Sequence, residues 1–343
     1  MPLALLIRRL ALTALVLCLL VVVLGAYVRL SAAGLSCPDW PGCYGAPSPL
    51  GIKEDAAAQT QFRATPVNVG KAWREMIHRY AAGTLGLIIA ALAVLSATHR
   101  GRQMVGMRFG GALFAILILQ ASLGMLTVTM RLTPLLVTLH LVFGMTTLAL
   151  LAWLWLSVQK PGRDSAPASA SSLPRRLCLV ALIGLALQIA LGGWTSSQYA
   201  ALACPDVPTC QGQWWPATDY AHAFVPWSSV RVDYEGGVLS APARTAIQLT
   251  HRLGACAATL LLVLAACVTL KNTAARAARR AAWLVLAVLA LQLLIAISMV
   301  KAGFPLVLAT AHNAGAALLL LATIGLYRAL VPPTAEPRRS GKS

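Results

Sequence analysis

Four histidines carry the chemistry that this sequence can do. His78 and His140 lie 62 residues apart, and His251 and His312 lie 61 apart. Each sits within the first turns of a long apolar stretch, where an ionisable side chain is costly and is a functional candidate by default. Around them the chain repeats itself. Cys37-Pro-Asp-Trp-Pro-Gly-Cys43 returns as Cys204-Pro-Asp-Val-Pro-Thr-Cys210, Gly25 and Gly192 each precede their first cysteine by twelve residues, and His78-Arg79 answers to His251-Arg252. Gln120 and Gln292 each lie twenty residues before the second histidine of their set. So many shared offsets mark an internal duplication. Two histidines per repeat, on alternate helices of a four-helix unit, is the arrangement that axially ligates a haem iron. Small residues at the third or fourth position after each histidine (Ala81 and Ala82, Gly144, Gly254, Gly315) leave space beside a flat macrocycle. The bland alternative is four histidines hydrogen-bonding between helices, with the small residues serving helix packing.

One acidic residue breaks the symmetry. Glu75 stands three residues before His78 and therefore on its helical face, whereas the matching place before His251 holds Gln248. Only the first site has a carboxylate able to move a proton or stabilise a developing cation. The alternative role for Glu75 is a helical ion pair with Arg79, four residues on. Arg79 and Arg252 directly follow a ligand candidate, where a guanidinium suits a carboxylate such as a haem propionate; interfacial snorkelling is the other reading. His99 and His222 have no counterpart in the repeat and read as surface residues.

The cysteine pairs are read as one disulfide per loop, Cys37–Cys43 and Cys204–Cys210. Five intervening residues are wide of the usual zinc spacing, which weighs against a four-thiolate site. The second pair reads as a structural clip; for the first, a redox or haem-handling role stays open beside that reading. Cys18, Cys178, Cys256 and Cys267 fall in or near helices and are expected to pack.

The elements that position these residues are transmembrane helices. Apolar residues make up 58% of 343 positions and charged ones 11%, with mean hydropathy +0.73; a soluble chain carries about 25% charged residues. Eight spans reach bilayer length: 10–28, 80–98, 109–130, 132–158, 177–199, 253–270, 281–300 and 302–327. Helix two is expected from about Trp73, and Pro134 suits the first turn of helix four. The fold class is an all-α polytopic membrane protein, with eight transmembrane helices as two tandem pseudo-symmetric four-helix bundles. The halves run 1–160 and 175–332, joined by a Ser/Ala/Pro-rich linker at 161–174 and followed by a disordered tail at 333–343.

The net charge of +18 reflects topology rather than nucleic acid. Arg8-Arg9, the basic residues of 100–108, 160–176 and 271–280, and the tail all fall on one side if both termini are cytoplasmic. The two long loops, with their cysteines, then face an oxidising exterior. A cleaved signal is disfavoured, because the first apolar core is longer than a secretory one and its repeat counterpart is internal. Trp227, Tyr220 and Tyr234, after Gln211-Gly-Gln-Trp-Trp-Pro, read as interfacial anchors, with a lid as the sharper alternative.

Together these motifs resemble the haem A synthase family: 34–43 (Gly-Leu-Ser-Cys-Pro-Asp-Trp-Pro-Gly-Cys), 75–79 (Glu-Met-Ile-His-Arg) and 203–216, across essentially the whole chain. The resemblance implies a bacterial inner-membrane oxidoreductase that converts the C8 methyl of haem O, through an alcohol, to the formyl group of haem A for terminal oxidases. It implies haem b as cofactor on His251 and His312, substrate haem O on His78 and His140, and Glu75 as the acidic residue near the substrate. Haem O synthase and oxidase subunits would be its neighbours; the sequence names no electron donor. Two other classes remain, a di-haem b electron carrier linked to quinol or disulfide, and a non-catalytic haem-delivery or oxidase-assembly factor.

Overall fold

A computed structural model of the chain describes residues 2–50, 67–159, 172–226 and 234–331. Its eight long helices are α1 (Pro2–Leu30), α2 (Val69–Ser96), α3 (Met107–Thr129), α4 (Pro134–Val158), α5 (Leu173–Ser197), α6 (Ala241–Asn272), α7 (Arg276–Lys301) and α8 (Leu306–Leu330). All eight are long and apolar enough to cross a membrane; the chain is a multi-pass membrane protein. The shortest, of 23 residues, spans about 35 Å at 1.5 Å per residue, against a hydrocarbon core of about 30 Å.

Several helices start earlier than hydropathy alone indicates, and each start has a local cause. Asn68 caps α2 by accepting from the Lys71 amide at 2.9 Å, so the helix begins four residues before Trp73. Ser240 caps α6, with Pro242 in its first turn, and adds more than two polar turns ahead of the apolar span at 253. Pro134 opens α4 as expected. The beginning of α5 at Leu173 takes the last two residues of the expected linker into the helix. The rest of that linker, the stretch 53–65, Trp227 and the tail lie outside the described residues.

Within each set of four, every helix packs on the next and the fourth returns to the first: α1–α2–α3–α4 and α5–α6–α7–α8. The two rings meet through α4 with α5 and α8, and through α1 with α8. Small residues fill the contacts, among them Ala11 and Ala14 of α1, Ala152 of α4, Ala181 of α5, Ala265 and Ala266 of α6, and Ala282 of α7. This is how helices associate when lipid tails are as apolar as leucine and close backbone approach must supply the attraction. Large apolar side chains point outward all round, Leu87 and Val307 among the most exposed. An apolar cavity of about 510 Å³ opens between the rings, lined by Val142, Met145, Trp153, Ile189 and Tyr327 among others, and contains none of the four histidines.

Local backbone detail repeats at matching positions. Both α1 and α5 end on a left-handed residue, Ala32 (φ 49°) and Tyr199 (φ 53°), with the next amide bonded back five residues, Ala33 to Val28 and Ala200 to Thr195. The turns after α3 and α7 do the same, through Leu132 to Thr127 and Phe304 to Met299. At this end the rings are tied together. Arg29 donates to the Tyr199 hydroxyl (2.8 Å) and the Ser196 carbonyl (3.0 Å), Thr138 and Ser197 share a hydroxyl contact (3.2 Å), and the Tyr234 amide reaches the Arg131 carbonyl (3.3 Å).

Candidate haem-binding sites

The histidines come together in pairs, one pair per ring. His78 on α2 and His140 on α4 lie within electrostatic range of each other, as do His251 on α6 and His312 on α8. All four rings are half-buried. Close packing sets three of them: a methyl on Gly25, Gly124 or Gly192 would stand 2.9, 3.2 and 3.2 Å from Cε1 of His78, His140 and His251. The fourth place in this pattern, opposite His312, is Ala296.

Such pairs are the donor set of a bis-histidine haem. Among the described residues no cluster of three or more His, Cys, Asp or Glu could hold a metal. Two histidines are the donor set that an iron already carrying four equatorial nitrogens takes axially.

The glycines among the small residues after the histidines lie against side chains of neighbouring helices, in line with the packing alternative. A methyl on Gly254 would run into Gln188 Oε1, one on Gly315 would run into Gln292 Oε1, and one on Gly144 would come within 3.2 Å of Gln120 Nε2. These glycines make room for a glutamine amide on the neighbouring helix. The Gln188 amide donates to the His251 carbonyl (2.9 Å) and lies 3.0 Å from His251 Nδ1; Gln292 stands likewise to His312, at 3.1 Å for both. Gln120 reaches only the His140 carbonyl, at 3.0 Å. The offset of Gln120 and Gln292 was visible in the sequence as a register mark; Gln188, 63 residues before its histidine, was missed because the first half has no glutamine at the matching position.

Each disulfide loop is docked onto its histidine helix by the arginine that follows the histidine. Cys37–Cys43 and Cys204–Cys210 are both bonded, with Cα atoms 4.7 and 4.6 Å apart. Arg79 donates to the carbonyls of Asp39 (2.9 Å), Pro41 (3.2 Å) and Gly42 (2.5 Å); Arg252 donates to those of Cys204 (3.0 Å), Asp206 (2.7 Å) and Thr209 (2.7 Å). Inside each loop an aspartate accepts two amides, Tyr44 and Gly45 on Asp39, Gln211 and Gly212 on Asp206. Thr209 adds its hydroxyl to Asp206, and together these donors hold that carboxyl below the usual carboxylate range. Propionate contact and snorkelling were the two roles read for Arg79 and Arg252; the partners found are loop carbonyls, because a five-donor fork satisfies the orphan carbonyls of a tight turn.

Glu75 belongs to the same assembly. It is 4% exposed, accepts from the Cys37 amide at 2.8 Å through Oε2, and pairs with Arg79 at 2.5 Å through Oε1. The helical ion pair read as the alternative is therefore present, and with it a loop contact that spacing could not show. Gln248, its counterpart, is equally buried, and its Oε1 has no partner.

The remaining candidates fall away from both pairs. His99 is exposed and lies against Gln103; His222 is exposed and pairs with Asp219, whose carboxyl it holds below the usual range. Trp214 and Trp215 are exposed and Tyr220 is half-exposed, as anchors should be; Tyr234 is buried against the first ring instead. Cys18 and Cys178 pack in the core, but Cys256 and Cys267 are exposed on α6, so packing explains only two of the four free thiols.

Comparison with known proteins gives the family. Residues 8–324 match the model of the COX15-CtaA family, described as cytochrome oxidase assembly protein. A heme A synthase of Shewanella oneidensis is 42% identical over 315 residues, covering 90% of this chain and 92% of that protein. Heme A synthases of Methylobacterium sp. (strain 4-46) and Nitrosospira multiformis are 31% and 29% identical, over 87% and 88% of this chain and 85% and 87% of theirs. With the match running from α1 into α8, the chain belongs to the COX15-CtaA family of cytochrome oxidase assembly proteins.

Proposed function

We propose that this protein is a haem A synthase, oxidising the C8 methyl of haem O to the formyl group of haem A. The first half, 1–160, takes the substrate haem between His78 and His140. The second, 175–332, keeps a haem b between His251 and His312, and 161–174 joins them. When bound, that haem b supplies one-electron redox chemistry. On this reading the protein lies in the bacterial cytoplasmic membrane with both termini inside and both disulfide loops outside.

The observation that carries this reading is the contrast between Glu75 and Gln248. Of two otherwise matching sites, one has a buried carboxylate three residues before its histidine and the other an amide. A symmetric electron carrier has no use for that difference, and a delivery protein has none for a buried acid. Oxidation at a methyl group removes protons as well as electrons. Glu75, anchored by Arg79 and the Cys37 amide, is a fixed acceptor for them at the loop end of the first site. The loop and the ring packing restrict water there, which strengthens the carboxylate's pull on developing positive charge.

The test is the haem content of the purified chain from cells that also make haem O, extracted and separated by chromatography. Haem A or its hydroxylated precursor, absent when Glu75 is replaced by Gln, is the expected result. Haem b alone, two per chain and indifferent to Glu75→Gln, would overturn it.

A further inference from the structure

The first disulfide loop takes two of the charged groups near His78 and leaves a third open. Glu75 and Arg79 are bonded to it, and Cys37 and Cys43 pack on Ala72 and Met76. Arg74 is exposed. Among the described residues its guanidinium makes no hydrogen bond or ion pair, and its Cζ stands 5.7 Å from the Tyr27 ring centroid. It lies one turn before His78, about 40° from it around the helix at 3.6 residues per turn. That stripe of α2 continues through Leu85 and Leu92, 7% and 0% exposed, whereas Ile77, Tyr80, Leu87 and Val94 form the exposed, outward stripe. Arg74 thus shares the inward stripe with His78. Both lean on α1, His78 at Gly25 and Arg74 at Tyr27.

The second half closes the same place. Ile247, the counterpart of Arg74, is 0% exposed. Trp194, the counterpart of Tyr27, is buried with its indole N–H donated to the Ala223 carbonyl at 3.0 Å. With Ala200, Ala243 and Ala246 these two form an apolar cluster. Both halves keep a cation two turns before the histidine, Lys71 and Arg244. A guanidinium open to a carboxylate, one turn from the imidazole, belongs to the first half.

A haem carries its two carboxylates on one edge, and charge is costly inside a bilayer. His78 is the tenth residue of α2 and His140 the seventh of α4. The nearer water therefore lies at the loop end, and the carboxylate edge turns that way. Arg79 is occupied by loop carbonyls, which leaves Arg74 as the guanidinium within one turn. The C8 methyl of haem O shares its pyrrole with one propionate, so a grip on that carboxylate also places the methyl. We infer that Arg74 binds this propionate of the substrate haem and thereby turns the C8 methyl toward Glu75, the next residue of the chain. Two axial histidines leave rotation about the iron axis open, and a guanidinium holding one carboxylate on the rim closes it. This rests on the placing of the substrate haem in the first half proposed above.

The full-length chain in nanodiscs, with haem b already in the second half, is titrated with ferric protohaem and with its dimethyl ester. Binding is read from the Soret band, and His78→Ala identifies the first-half signal by removing it. The free acid is expected to bind about 10-fold or more tighter than the diester, the scale of one charge-assisted contact. Arg74→Gln should abolish that preference by weakening the free acid alone, and Arg74→Lys should restore part of it. At saturating haem O, Arg74→Gln should also lower kcat about 10-fold, with the melting temperature unchanged. A preference that survives Arg74→Gln, an equal loss for both ligands, or an unchanged kcat would overturn the inference. A first half that takes up neither ligand would overturn the functional reading, and this inference with it.

Discussion

The two disulfide loops are nearly the same object, and the sites beneath them are not. Each loop closes with a six-residue cysteine separation, turns on an aspartate that accepts two amides, and hands three carbonyls to the arginine of a His-Arg pair. Left-handed residues recur at Tyr44 and Gly45, and at Gln211 and Gly212. One turn below, the likeness stops: acid against amide at 75 and 248, valine against glutamine at 21 and 188. The loops match, while residues near the first histidine of each pair differ.

The largest expected effect sharpens this contrast directly. His251→Ala or His312→Ala should remove the retained haem from the purified chain, read as loss of its Soret absorbance, while His78→Ala should leave it in place. Next comes Glu75→Gln, expected to lower haem A formation by about 10²-fold or more, the scale of lost acid–base catalysis. Gln248→Glu in the other half should add no activity, checked by single-turnover product analysis.

Loop docking gives a smaller effect. Arg252→Ala removes three charge-assisted contacts to one loop and should cost roughly 2 kcal/mol, seen as a lower melting temperature in detergent and faster reduction of Cys204–Cys210. Arg79→Ala should do this for its own loop and also lower activity, since it releases Glu75 as well. If both variants alter activity equally, the contrast between halves fails. Smaller again, Gly25→Ala should perturb the first-half haem spectrum more than Gly192→Ala perturbs the second, because its methyl meets the imidazole at 2.9 rather than 3.2 Å. Ala296→Gly, which only removes a methyl, should be near neutral.

The pH effect is the smallest. The folded Asp206 carboxyl lies below its unfolded value, with the Thr209 hydroxyl as the leading cause. Its support of the second loop is complete above the ordinary carboxylate range, about 4, and disappears as pH falls through the lower folded value. Asp206→Asn should abolish that acid sensitivity, measured as the reduction rate of Cys204–Cys210 against pH.

How much of this was legible follows from what each feature depends on. Hydropathy and charge placement give all eight helices, because lipid imposes their length. The duplicated cysteine motif and the histidine spacing give the pairs. Helix starts at Val69 and Ala241 lay beyond the apolar spans, since they rest on the Asn68 and Ser240 caps. The partners of Arg79 and Arg252 were out of reach, being backbone carbonyls whose positions depend on loop shape. The amides beside the glycines at 144, 254 and 315 could not be read from sequence, because each belongs to another helix. Gln188 escaped notice because a repeat is found by what matches, and the corresponding position of the first half holds Val21.

The exposed thiols of α6 give this molecule a built-in depth gauge. Cys256 and Cys267 lie five and sixteen residues past His251, about 8 and 24 Å along the helix axis at 1.5 Å per residue. A lipid-soluble spin label on each, with the buried Cys18 and Cys178 left intact, would measure how far below the membrane surface His251 sits. The same two labels would register any tilt of α6 when the first half fills, reporting motion at one site from the helix that carries the other.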